Sequence, residues 1–321
     1  MPLHVESPLI ESLPLGEQFG APVFLKMESA QPTGSFKIRG VGAACEERVA
    51  QGARGLVSSS GGNAGYAVAY AGRHLGVPVT VVVPETTPQS MRARIAREGA
   101  QVLEHGASWD DAHAFAYELA GWERGAYIHP FDDPRLWSGH ASLVEEAART
   151  LDPPGAVVVA VGGGGLLCGV LEGMQRVGWQ EVPVLAVETE GAESFARSVA
   201  AGELVTLEAI TSIATTLGAR RVAPKALEWV ERHPVTPWIV ADRAAVESCL
   251  RFADDHRTLV EPACGAALSA VYDRAEPLPR ERAVLVVVCG GAGVDRDLLA
   301  SWSEEVDLPT GGGISARAAR R

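Results

Sequence analysis

Again and again along this chain a run of β-branched residues stops at a small polar or glycine-rich turn, and a segment of helical period begins. "GLVSSS" leads into "AGYAVAYAGRHLG", "VPVTVVVP" into "QSMRARIAREG", and "AQVLEHG" into "WDDAHAFAYELAGWE", with "AYIHPF" after it. Further on, "GAVVVAVGGGG" leads into "LLCGVLEGMQRVG" and "VPVLAVETEG" into "ESFARSVAAG", and "RAVLVVVCGG" closes the series. A strand that is apolar on both faces must be covered on both faces, and helical crossovers are what cover it. The alternation predicts an α/β fold with mostly parallel sheets. Most helical segments begin after Gly, Ser or Asp and end near Gly, where capping favours those residues. The chain of 321 residues suffices for one large domain or two associated ones, and it shows no repeat of fixed period and no long linker.

Charge and cysteine usage narrow the function. A formal net charge of -12 argues against a nucleic-acid partner, because phosphate backbones select basic surfaces. The five cysteines, Cys45, Cys168, Cys249, Cys264 and Cys289, form no C-x-x-C pair and are odd in number. A zinc site or disulfide framework is therefore not expected, and a reducing cytoplasm is. Runs such as "AVVVAV" have strand length and are too short to cross a membrane, and "MPLHVESPLIESLPL" lacks the pattern of a signal peptide. The tail "LPTGGGISARAARR" has little to bury and is expected to fray.

Four segments carry chemistry. In "VVVAVGGGGLLCGVLEGM" a buried strand ending at Val161 meets Gly162, Gly163, Gly164 and Gly165, with a helix from Leu166. Converging main-chain N–H groups at a helix N-terminus suit a phosphate, whereas a plain tight turn would need fewer glycines. The segment has neither the Lys-Ser/Thr of a Walker loop nor G-x-G-x-x-G spacing, so a nucleotide is not implied. In "LVSSSGGNAGYAVAYAG", Ser60, Gly61, Gly62 and Asn63 either cap a helix starting near Ala64 or offer donors to a carboxylate, and Asn63 can also bond a phenolic oxygen. Cys289, at the end of "LVVVC", reads as a small buried hydrophobe, a nucleophile without a matching histidine, or a weak partner to a bound ring. Lys37, in "SAQPTGSFKIRG" between Phe36 and Ile38, reads as a solvated charge or as a buried amine able to form a Schiff base. Taken together, the four meet the needs of pyridoxal phosphate: a phosphate, an aldehyde, a phenolic oxygen and a ring nitrogen.

At "SAQPTGSFKIRG", "SSGGNAG", "HPFDDP", "VGGGGLLCGV" and "VEPACGAAL" the sequence resembles the fold-type II pyridoxal-phosphate enzymes of the L-serine dehydratase/threonine deaminase family, animal type, over nearly its whole length. The resemblance implies a tryptophan synthase β-subunit-like fold of two three-layer α/β domains. Residues 1–40 and 139–321 would form the larger, cofactor-binding domain and residues 41–138 a smaller inserted one. It implies Lys37 as Schiff-base amine and α-proton base, with Phe36 packed by the ring. Ser60, Gly61, Gly62 and Asn63 would hold the substrate carboxylate. Gly162, Gly163, Gly164, Gly165 and Leu166 would hold the phosphate, and Cys289 would face the ring nitrogen. Glu188, Ala192, Ser194, Leu217 and Ala219 would surround a monovalent cation, potassium. The implied reaction is β-elimination of water from L-serine and L-threonine by a homodimer, with no regulatory domain after "CGGAGV". A racemase or β-replacement enzyme of the same fold, or a non-catalytic amino-acid-binding protein, are the alternatives. Gly61 stands where the main serine dehydratase has alanine and a slower relative has glycine, which leaves turnover and substrate preference open.

Overall fold

The computed structural model describes residues 2–122 and 125–308, so most of the tail expected to fray lies outside the described residues. Its strands are, in chain order, β1 (Leu9–Glu11), β2 (Val23–Met27), β3 (Leu56–Ser58), β4 (Val79–Val83), β5 (Gln101–Glu104), β6 (Ala126–Tyr127), β7 (Ala156–Ala160), β8 (Val184–Thr189), β9 (Val235–Val240) and β10 (Val284–Val288). They form a six-stranded sheet ordered β1-β2-β10-β7-β8-β9 and a four-stranded sheet ordered β5-β4-β3-β6. Every pairing is parallel except β1 with β2.

The chain's apolar runs account for this. In the large sheet β7, β8 and β10 are buried at every position. Val286 of β10 pairs with Leu25 on one side and Val158 on the other, which makes β10 a central strand. The helix Pro262–Tyr272 is buried along its whole length and packs across β7, β8 and β10. In the small sheet, side chains alternate between faces. Leu56, Val79, Val81 and Val83 share a core with Ala67, Val68 and Ala71 of helix Asn63–Leu75. Val57 and Val82 meet Ala112, Ala116 and Ala120 of helix Trp109–Trp122 instead. Each face of the small sheet thus has its own helix, as the doubly apolar strands require.

Some boundaries differ from the sequence reading. The strand before the glycines ends at Ala160 rather than Val161, and its helix starts at Gly165. Asn63, not Ala64, opens the next helix. "AYIHPF" contributes only the two residues of β6, because His129 Nδ1 accepts from the N–H groups of Phe131 and Asp132 and turns the chain. In both sheets the segments singled out for chemistry follow the carboxyl ends of strands: β3 leads to Asn63, β7 to the glycines and β10 to Cys289. That edge of an open α/β sheet is where ligand crevices form.

Candidate active site

The lysine's position is set by a docking of two turns. The N–H of Phe36 donates to the carbonyl of Cys289 at 3.1 Å, and that of Gly291 to the carbonyl of Gly34 at 2.8 Å. Ser35 and Gly290 form an isolated antiparallel bridge. The approach is so close that a Cβ on Gly290, which has φ +83°, would lie 2.2 Å from the Gly34 oxygen. Helix Lys37–Ala50 starts here, so Lys37 projects from its first turn beside the β10 tip.

Lys37 is partly buried, and its Nζ donates to the carbonyl of Pro130 at 2.6 Å. The amine also sits 5.1 Å from the centroid of the Phe36 ring. Burial lowers its pKa from the ordinary lysine value to about 8, against a smaller opposing pull from Cys289. Among the described residues no carboxylate is paired with it. A lysine without a counter-ion in a low-dielectric wall is the arrangement that makes an amine nucleophilic and basic near neutral pH.

Around the amine lies a small cavity of about 60 Å³. Phe36, Lys37, Asn63, Gly162, Gly163, Gly164, Gly165, Leu166 and Cys289 all line it, so residues from four separate segments converge. Ser60, Gly61 and Gly62 belong to the same loop as Asn63 but do not form the wall. Among the described residues, the N–H groups of Gly163, Gly164, Gly165 and Leu166 have no protein acceptor, as expected for a helix start that leaves its first donors free. A side chain at Gly163 would close this cradle, since its Cβ would fall 2.2 Å from the Phe131 ring. The donors, the helix N-terminus of Gly165–Arg176 and the absence of side chains together fit an anionic oxygen cluster such as phosphate.

Cys289 is buried, and its contact with the Cys264 thiol, together with burial, holds its pKa well above the ordinary thiol range. It is a neutral thiol, which leaves the nucleophile reading without support. The residues expected to surround a cation divide into two groups. Glu188, Ala192 and Ser194 are all buried, and the Glu188 carboxylate accepts from Phe195 N–H at 2.8 Å and Ala196 N–H at 2.7 Å. Burial raises that carboxyl to about 8. Leu217 lies by the glycine loop, its Cα 2.9 Å from where a Gly162 Cβ would sit. Among the described residues no hydrogen bond joins Glu188 to Leu217 or Ala219, and no cluster of three metal-ligating side chains occurs.

Phe131, Thr216, Glu261 and Ala263 also line the cavity, and sequence reasoning gave none of them a role. Phe131 and Glu261 stand inside two of the motifs that carried the resemblance, "HPFDDP" and "VEPACGAAL". The signal for Glu261 was present: an acidic residue before Pro262 at the head of a wholly apolar helix has no obvious reason to be buried.

A lysine amine, a phosphate cradle, an amide and a neutral thiol around one cavity define a pyridoxal-phosphate site. The family model described as "Pyridoxal-phosphate dependent enzyme" matches residues 1–290, and the chain belongs to that family. Among proteins it resembles, the human "L-serine dehydratase/L-threonine deaminase" is 47% identical, covering 96% of this chain and 97% of that one. The human "Serine dehydratase-like" protein is 50% identical, covering 92% of each. The crystal structure of a fungal L-serine ammonia-lyase from Rhizomucor miehei superposes with a TM-score of 0.90 at 38% identity, covering 95% of this chain and 100% of that one. The family resemblance and the fold read from the motifs are both borne out.

Proposed function

We propose that the protein is a pyridoxal-phosphate-dependent L-serine/L-threonine ammonia-lyase, converting L-serine to pyruvate and ammonia and L-threonine to 2-oxobutyrate and ammonia. The observation that carries this reading is the cavity joining Lys37, which has no carboxylate partner among the described residues, the free N–H groups of the glycine loop, Asn63 and a buried thiol at Cys289. The residues fit the cofactor: the loop N–H groups would hold its phosphate, Lys37 would bond its aldehyde carbon, and Asn63 and Cys289 would flank its ring. When bound, pyridoxal phosphate supplies an electron-withdrawing ring that stabilises the charge left on an α-carbon.

The protein's own groups do the rest. Lys37 Nζ, neutral far more often than an ordinary lysine because of its lowered pKa, takes the α-proton. The Pro130 carbonyl steadies the ammonium that results. The loop of Ser60, Gly61, Gly62 and Asn63 would orient the substrate carboxylate at the cavity mouth. Cys289, being neutral, withdraws less charge than an ion pair would and so favours prompt loss of the β-hydroxyl over a long-lived carbanion.

The same proposal includes the division into residues 1–40 with 139–321 and residues 41–138, a homodimer, and a cytoplasmic location. Five free, buried cysteines support a reducing compartment, and among the described residues no helix is long and apolar enough to cross a membrane. It also includes potassium near Glu188, Ala192, Ser194, Leu217 and Ala219, supported by the buried Glu188 and by a Ser194 hydroxyl with no partner among the described residues. The test is an assay of pyruvate, 2-oxobutyrate and ammonia from L-serine and L-threonine, with and without potassium. Equimolar keto acid and ammonia support elimination; D-serine without pyruvate would replace it with racemisation.

A further inference from the structure

Glu261 stands in the cavity wall, 4% exposed, just before helix Pro262–Tyr272. Both of its oxygens are engaged: Oε1 accepts from the N–H of Gly293 at 2.8 Å and Oε2 from Nδ2 of Asn63 at 3.0 Å. On the other side of the same amide, Asn63 Oδ1 accepts from the N–H of Ala292 at 2.7 Å. A backbone N–H can only donate, and a carboxylate only accepts. One orientation of the Asn63 amide therefore satisfies both neighbours. The flipped one would set its carbonyl against the carboxylate and its NH₂ against the Ala292 N–H. In the satisfied orientation one proton of Nδ2 is committed to Glu261, and the second is left for whatever lies in the cavity.

We propose that Glu261 is the positioning residue that locks Asn63, so that this amide presents an N–H donor to the cavity and never a carbonyl. The ligand atom opposite it must then be an acceptor oxygen, which is the ring oxygen of pyridoxal phosphate if the functional reading above holds. The same carboxylate ties the loop after β3 to the turn after β10, and so holds Asn63 in register with Cys289. Thr216, also in the wall, adds a hydroxyl to the carboxylate's partners.

Replacing Glu261 tests this without changing the size of the side chain. In Glu261→Gln one acceptor oxygen becomes a donor, so either Gly293 N–H or Asn63 Nδ2 faces another donor. The full chain, stripped of cofactor by dialysis, is titrated with pyridoxal phosphate and followed by absorbance and by thermal unfolding. Glu261→Gln is expected to raise the Kd about tenfold or more, the scale of one unsatisfied buried donor, and to shift the absorbance band of the bound chromophore. The double variant Glu261→Gln/Asn63→Asp separates positioning from bulk stability. Its new amide donates to its new carboxylate, which still accepts from Ala292 N–H, so the network is satisfied again while the cavity meets an acceptor. Tm should return towards the parental value while affinity and spectrum stay altered. Parental Kd and spectrum in Glu261→Gln, or affinity recovering together with Tm in the double variant, would overturn the proposal. A parental chain that takes up no pyridoxal phosphate would instead overturn the reading on which it rests.

Discussion

Lys37 and Arg39 lie two residues apart on one helix, and their surroundings treat charge in opposite ways. Arg39, wholly buried, is gripped by two carboxylates: Nε and Nη2 donate to Glu28 at 2.7 and 2.9 Å, and Nη1 and Nη2 to Glu146 at 2.7 Å each. Lys26 donates to the same Glu146 and to the Ser7 carbonyl, so two cations balance two anions there. Burial alone would pull the Arg39 pKa down, but its bonds to Glu146 and Glu28 outweigh that and raise it. Among the described residues Lys37 receives one carbonyl and no carboxylate, and its pKa falls to about 8. Residues at i and i+2 point to different sides of a helix, which lets one turn carry both environments. A structural cation is surrounded by anions; a reactive amine is denied them.

The sharpest break of that contrast is Lys37→Ala. Loss of both the cofactor bond and the proton acceptor should cut keto-acid release by at least ~10³-fold. Thermal stability should be retained, because among the described residues the side chain removed makes one hydrogen bond. Next comes Arg39→Leu, which strands Glu28 and Glu146 in the core; loss of about 3–5 kcal/mol is expected from denaturant midpoints. Arg39→Lys should recover only part of it, since an ammonium lacks the fork that reaches both carboxylates. Gly163→Ala is smaller in scope: it pushes on the Phe131 ring and should weaken pyridoxal phosphate binding about tenfold, read by titration, with the Arg39 network unaffected.

The pH dependence tests the same contrast without a substitution. In the folded chain the Lys37 amine titrates near 8, below an unfolded value of about 10.4. Between those values the unfolded chain binds more protons, so the cofactor-free protein should gain stability as pH rises from about 8 to about 10.4. At pH 7 about 10% of Lys37 is neutral, against about 0.04% of an ordinary lysine, and cofactor capture should speed up with pH to a midpoint near 8. Stopped-flow absorbance checks the second point.

What the sequence made legible follows the same division. Strands apolar on both faces announced the sheets, and four glycines after a buried strand announced the cradle, because both signals are local. Lys37 was ambiguous alone, since its flanking residues say nothing about the Pro130 carbonyl or the Cys289 turn that enclose it. Glu261 left only the local sign of an acidic residue heading a wholly apolar helix; its partner Asn63 lies 198 residues away, and no spacing rule links them. Phe131 was hidden likewise, because its role is to fill the space that Gly163 leaves empty.

The chain holds three lysines, Lys26, Lys37 and Lys225, and this makes the central claim directly measurable. Lys26 is paired with Glu146 and Lys225 with Glu228, which leaves Lys37, among the described residues, as the lysine without a carboxylate. Borohydride reduction of the protein saturated with pyridoxal phosphate, followed by peptide mass spectrometry, should place a single pyridoxyl adduct on Lys37. An adduct on Lys26 or Lys225, or none on Lys37, would contradict the account.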